Sequence, residues 1–297
     1  METIKDLIIR NLHCLVCNES FIEVSSNNVI CKNHHIFIID EEVFVLETKL
    51  KLAEKFKWGK KLRDPKENLL LDESQSTMAK EKSRKRMENM INFVVLNAKK
   101  ESMDILDIAT GRGLLIKNLL PEIDNSIIYL TDLDTDVLVG TNKLINNLVK
   151  TNTVIPITSS ATHLPFEDNS ISEVICFGIN NIRETTVAIT EVRRVLKPGG
   201  KLIFSFSLME EGSPSYIWSQ TQEDKPGPFD VIDKWEIEAE NIGFKILKNE
   251  ILFDGPVEKA KLDLTPRVNG ERFQDVGVIL LKNKTKLFLI SSPVCPK

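Results

Sequence analysis

Two groups of residues have the types and spacing to do chemistry. The first is Asp104-Ile-Leu-Asp107-Ile-Ala-Thr-Gly111-Arg-Gly113-Leu-Leu, an apolar run, two closely spaced glycines and a second apolar run. Glycine at these positions lets a ligand approach the backbone and allows a turn of positive φ. A dinucleotide site uses such a loop to seat a pyrophosphate at a helix N-terminus. Here Ile116 stands where that fingerprint has its third glycine. Asp107 suits a ligand bearing an ammonium and a sulfonium better than one bearing phosphates. After Gly111, the run Ile127–Asp132 ends in a second acid. A carboxylate there can accept hydrogen bonds from both hydroxyls of a ribose.

The second group is Cys14-Leu-Val-Cys17 followed by Cys31-Lys-Asn-His34-His35. Two short turns of this kind place three thiolates and one imidazole on the corners of a tetrahedron, the ligand set of a structural zinc. Spacing alone leaves the fourth ligand open between His34 and His35. A four-ligand site keeps no open coordination position, so the metal is expected to hold structure rather than perform chemistry.

The elements around these residues fall into three stretches. Residues 1–48 contain short β-type runs at Ser20–Val24, Val29–Cys31, Ile36–Ile39 and Val43–Leu46. Residues 49–100 carry 15 Lys/Arg against 7 Asp/Glu, with helical apolar spacing over Lys49–Leu62 and Met78–Leu96 and a loop between them. Residues 101–297 alternate strand and helix, the pattern of a parallel α/β sheet. The strands are expected at Ile105–Ile108, Ile127–Leu130, Val154–Ile157, Glu173–Cys176 and Lys201–Phe206. Helices are expected at Leu114–Leu120, Thr135–Lys150, Thr185–Leu196 and Val231–Ala239, with final strands near Phe244–Leu247 and Val276–Leu281.

In order along the chain stand the glycine loop, Asp132, Ser160-Ala161-Thr-His-Leu-Pro165-Phe166, and Glu191-Val-Arg-Arg194-Val-Leu-Lys-Pro198-Gly-Gly200. This succession resembles the class I S-adenosylmethionine-dependent methyltransferases over about residues 101–206. The resemblance implies a Rossmann-like, seven-stranded α/β sheet whose last strand is antiparallel. It implies S-adenosylmethionine held at the methionine end by Asp107, Gly111 and Gly113, and at the ribose by Asp132. Leu133, Ser160 and Ala161 would then lie near the adenine, and Phe177 is a further cofactor-binding candidate. Ser160 stands where many relatives carry Asp, so the carboxylate contact to the adenine amino group is missing.

The N-terminal residues resemble the zinc ribbon of bacterial large-subunit rRNA guanine-N1 methyltransferases, which implies His35 as the fourth ligand beside Cys14, Cys17 and Cys31. The expected organisation is a zinc ribbon (1–48), a basic helical linker (49–100) and a methyltransferase domain (101–297).

A methyl acceptor is expected over the end of the fourth strand, at Phe177-Gly178-Ile-Asn180-Asn181-Ile-Arg183. Asn180, Asn181 and Arg183 are its candidate contacts. This stretch resembles the Phe-Gly-x-Arg-Asn of quinone-biosynthesis C-methyltransferases, with Asn180 in place of the Arg. The Asn-Pro-Pro-Tyr of amino-directed DNA methyltransferases is absent. A small-molecule or peptide acceptor is favoured, with rRNA guanine-N1 as the alternative and a non-catalytic cofactor-binding protein as the second alternative. The net charge of −4 does not mark a dedicated nucleic-acid binder, although the basic segment carries +8 and the remainder −12. No apolar run reaches the ~18 residues of a membrane span, and Met1–Arg10 lacks the apolar core of a signal peptide. A cytoplasmic protein is expected.

Overall fold

The apolar strand β5 (Asp104–Ile108) lies near the middle of an eleven-stranded sheet. Its neighbours are β6 (Ile127–Asp132) and β8 (Ile171–Phe177), both parallel to it. The sheet continues on one side through β7 (Thr153–Thr158). On the other it runs through β9 (Leu196–Met209), β11 (Glu271–Lys282) and β10 (Phe244–Val257), with β11 antiparallel to both of its neighbours. The structure, a computed structural model, describes residues 3–46, 63–64, 66, 78–101, 103–182, 184–222, 226–258 and 266–283. The helix expected over Lys49–Leu62 and most of the loop after it lie outside the described residues.

Four N-terminal strands complete the sheet: β1 (Phe21–Val24), β2 (Asn28–Cys31), β3 (Ile36–Asp40) and β4 (Val43–Val45). They pair antiparallel in sequence order, and β4 then pairs parallel with β7 through Phe44↔Ile157 and Val45↔Thr158. The β3–β4 turn is tied down by Arg63, whose guanidinium reaches Asp40 at 2.6 Å and Asp136 at 2.9 Å. Helix α1 (Ile4–Asn11) precedes these strands, closed at its start by a Thr3–Asp6 capping box.

Two apolar layers flank the sheet because side chains alternate along each strand. Ile105, Ile128, Ile175, Ile203 and Ile279 face α2 (Met78–Asn97) through its Ile91, Phe93 and Val94. Phe93 lies so close to β11 that a Cβ at Gly277 would stand 2.4 Å from its ring, so glycine is required there. The same face receives α3 (Leu114–Leu119) and α4 (Thr135–Ile145). Leu106, Tyr129, Val174, Phe204 and Phe206 form the other layer with α5 (Thr185–Val195) and α7 (Trp235–Ile242). Phe21, Val29, Phe37 and Phe44 belong to that second layer, so the N-terminal strands share its core. A short helix α6 (Pro214–Ser219), capped by Ser213, follows β9. Among the described residues no helix is long and apolar enough to cross a membrane.

Candidate active site and metal centre

Parallel strands bring the chemistry-bearing residues to one rim, because each ends in a loop at the same carboxyl edge. Asp107 is the penultimate residue of β5, Asp132 closes β6 and Phe177 closes β8. Beyond β5 the chain turns through Ala109 (φ 51°), Gly111 (φ 55°) and Gly113 (φ 74°), then enters α3. A Cβ on Gly113 would lie 2.7 Å from Thr141 Cγ2, so α4 presses the loop from behind. Thr141 Oγ1 donates to Gly111 O at 2.8 Å, and Thr110 N donates to Thr131 O at 2.9 Å.

Asp132 is the second anchor. Its Oδ2 accepts from Gly111 N at 2.9 Å and its Oδ1 from Asp134 N at 3.0 Å, so each oxygen keeps a lone pair for a ribose hydroxyl. Asp134 in turn caps α4 through Asp136 N and Val137 N. Asp107 is 1% exposed, and its Oδ2 has no hydrogen-bond partner. Burial, with the charge of Asp132 added to it, pushes its carboxyl up to about 8. A buried, unpaired carboxyl oxygen is costly. An ammonium-bearing ligand would satisfy it, which fits the methionine end of S-adenosylmethionine.

The loop after β7 lies against Asp132: Ser159 N donates to Asp132 O at 3.0 Å. Ser160 turns its hydroxyl inward, 2.7 Å from Thr162 Oγ1, and Ala161 is buried beside it. Ser159, next to Ser160, has a buried hydroxyl with no hydrogen-bond partner, which no motif signalled. Arg194 fixes the far end of this loop. Its guanidinium donates to Leu164 O at 3.0 Å, Phe166 O at 2.7 Å and Asp168 at 2.8 Å, and pairs with Glu191. Leu133 follows Asp132 half-buried, and Phe177 is half-buried among the α2-side residues with Leu114.

The acceptor-side residues are arranged differently. Asn180 donates to Phe229 O and Asp230 Oδ1, both at 2.8 Å, and accepts from Ser207 N at 3.0 Å. Its amide braces the chain at 228–230 against β9. Arg183 and the side chain of Asn181 lie outside what is described. Nearby, Asp275 is fully buried on β11 and receives Arg86 of α2 at 2.6 and 2.7 Å and Ser207 at 2.6 Å. Arg86 also lies 4.3 Å over the Phe253 ring. This cross-brace between helix and sheet had no sequence signal, because its members are 189 and 68 residues apart.

Cys14, Cys17, Cys31 and His35 bring their ligand atoms within 4.8 Å of one another. The separations are 3.6 Å for Cys14 Sγ to His35 Nδ1, 3.7 Å for Cys17 Sγ to Cys31 Sγ and 3.4 Å for Cys31 Sγ to His35 Nδ1. A tetrahedral zinc with Zn–S of about 2.3 Å sets its sulfurs about 3.8 Å apart, so the donor set fits in chemistry and in size. His34, in a left-handed conformation (φ 62°), is exposed and stays outside the cluster.

Residues 72–217 match the ubiE/COQ5 methyltransferase family. The chain is 36% identical over 107 residues to the ubiquinone/menaquinone biosynthesis C-methyltransferase UbiE of Cupriavidus pinatubonensis, covering 35% of this chain and 43% of that protein. It is 35% identical over 115 residues to the UbiE of Rickettsia prowazekii, covering 37% and 46%. The alignment thus spans less than half the length of these relatives. Among solved structures, a methyltransferase from Bacillus halodurans superposes with a TM-score of 0.51 at 17% identity, covering 65% of this chain and 97% of that one. A chain from the complex between the Haloferax volcanii Trm112 methyltransferase activator and a methyltransferase gives 0.52 at 14% identity, covering 69% and 93%. At these identities the structures establish the fold, a Rossmann-like methyltransferase α/β fold.

Proposed function

We propose that this protein transfers a methyl group from S-adenosylmethionine to a small organic acceptor. The observation that carries the reading is the unpartnered carboxyl of Asp107 beneath the Gly111–Gly113 turn, beside Asp132, in a region matching a methyltransferase family. S-adenosylmethionine supplies an electrophilic methyl on a sulfonium. Asp107 holds the ammonium of that cofactor, the backbone of Gly111 and Gly113 lies along its methionine end, and Asp132 takes the ribose hydroxyls. Leu133 and Ala161 would provide apolar contact for the adenine, with Phe177 at the end of β8 a further contact.

Displacement at the methyl breaks its bond to sulfur as the bond to the acceptor forms, so alignment and exclusion of water provide most of the catalysis. The relatives' names, C-methyltransferases of ubiquinone and menaquinone biosynthesis, point to a carbon of a quinone precursor as the first acceptor class to try, its proton leaving as the methyl is gained. The RNA reading rests on the ribbon and the basic segment alone, and the relatives favour the small molecule. Cys14, Cys17, Cys31 and His35 would hold one structural zinc, tying the turn at Cys14–Cys17 to the turn between β2 and β3.

The test is calorimetric titration with S-adenosylmethionine of the wild type, Asp107→Ala and Asp132→Ala, with zinc assayed on the same samples. Micromolar binding lost in both variants, with one zinc per chain, is the expected result. Incubation with quinol precursors and with rRNA transcripts, read by mass spectrometry, then separates the acceptors. A wild type that binds no cofactor overturns the reading.

A further inference from the structure

We propose that Leu12 and His13 are positioning residues for the nucleoside end of the cofactor, and that metal in the Cys14–Cys17–Cys31–His35 cluster tightens cofactor binding through them. The inference rests on the cofactor reading above. It starts from the way the loop after β7 is held. At its near end the loop adjoins Asp132 through Ser159 N, and on one flank Arg194 and Glu191 grip Leu164 and Phe166. The other flank is held by the N-terminal segment. His13 N donates to Pro165 O at 3.0 Å, Leu12 forms an antiparallel bridge with Phe166, and His13 Nδ1 lies 3.1 Å from Glu167 Oε1. Asn11 Nδ2 donates to Tyr129 OH at 2.6 Å, and the Tyr129 ring packs edge-on against Phe166 at 4.9 Å. Leu12 is 2% exposed and His13 4%, so both are packed between the loop and the ribbon.

On its N-terminal side the segment continues from helix α1, with Leu12 N donating to Ile8 O at 3.1 Å. It is fixed from behind by the cysteine turn that follows it. His13 bridges to Ser20, Cys14 N donates to Glu19 O at 3.0 Å, and Asn18 N donates to Cys14 O at 2.8 Å. These contacts close the first metal knuckle, whose two thiols are the first two cluster members. Emptying such a cluster leaves its thiols a few ångströms apart without the ion that ties them together, and metal-bound turns lose order without their ion. Order lost at Cys14 passes directly to His13 and Leu12, and from them to the backbone of Pro165 and Phe166. A cofactor binding to that loosened loop must restore its order, so metal and cofactor share one ordering cost. The two affinities are then linked, and each ligand strengthens the other by the same factor.

The experiment measures the Kd of S-adenosylhomocysteine by calorimetry on the full chain, zinc-loaded and after chelation, with hydrogen exchange at the amides of residues 160–166 on the same samples. The expected result is binding at least about fivefold weaker in the stripped protein, the lower range of measured couplings, with faster exchange at Leu164. The zinc-loaded Leu12→Ala/His13→Ala variant keeps every metal ligand and should show the same weakening. Exchange on the wild type with and without zinc decides the matter if that variant does not fold. Equal Kd within about twofold and unchanged exchange overturn the coupling and leave the methyltransferase reading standing. No binding in either form overturns that reading and this inference with it.

Discussion

Replacing Asp107 by Asn isolates the buried carboxyl that the cofactor reading depends on. Burial lifts this group to about 8, so at pH 7 about nine tenths of the ligand-free protein carries it protonated. Pairing with a ligand ammonium requires the carboxylate. Binding should therefore release close to one proton per S-adenosylhomocysteine at pH 7, and ionising the group there costs on the order of 1 kcal/mol. Observed affinity should rise about tenfold between pH 6 and pH 7, while the ligand ammonium stays protonated. The assay is calorimetry in two buffers of different ionisation enthalpy, which reads the proton count directly. Asp107→Asn should bind more weakly above pH 8, release no proton and lose the slope.

Stability of the ligand-free protein moves the other way. The folded pKa lies above the ordinary carboxyl value, so the folded state holds the extra proton between about pH 4 and pH 8 and stability falls as pH rises through that window. Asp107→Asn removes this decline and should be the more stable protein at pH 8.5, on the order of a few kcal/mol. Wild-type binding with no proton release at pH 7, and with the same pH slope as the variant, refutes the assignment of Asp107 to the ammonium.

Two further substitutions test how the loops are held. Gly113→Ala forces a side chain into a left-handed position facing Thr141 Cγ2 at 2.7 Å, and should weaken S-adenosylhomocysteine binding by more than about tenfold with a lowered Tm, read by calorimetry and thermal melts. Arg194→Ala strands Glu191 and the carbonyls of Leu164 and Phe166. It should cost about 2–3 kcal/mol in urea unfolding; a loss under 0.5 kcal/mol would show that the hub contributes little.

The elements carrying the cofactor loop were legible because each is strongly patterned and local. The runs ending at Ile108 and Asp132 are apolar and bounded by turn residues, and the observed strands differ from the expected ones by a residue or two. Strand β9 runs further at both ends than Lys201–Phe206, since Pro198-Gly199-Gly200 continues as strand instead of closing a turn before it. Strand β10 was expected to end at Leu247 but continues to Val257. Lys248, Asn249 and Glu250 are exposed in it and give no apolar alternation to read. Helices α1 and α6 are not among the expected elements, although both carry cap signals, Thr3 with Asp6 and Ser213 with Pro214.

At the site, residue types could be placed but partnerships could not. The spacing that offered Asn180 to a substrate could not show its amide committed to Phe229 and Asp230, nor could Leu12 and His13 be connected to Phe166 across 150 residues of chain. Contacts between distant segments leave no period in the sequence.

The short parallel pairing of β4 with β7 protects a flank that this architecture otherwise leaves open. Without residues 1–46, the outer side of β7 would lose its pairing at Ile157 and Thr158 and present backbone polar groups there. Tyr129 and Phe166, which pack against the N-terminal residues, would be bared beside it. An unpaired strand next to fresh apolar surface is a template for self-association. A chain lacking only residues 1–46 should therefore oligomerise through β7, and solubility screens on this protein should keep the cysteine-bearing strands attached.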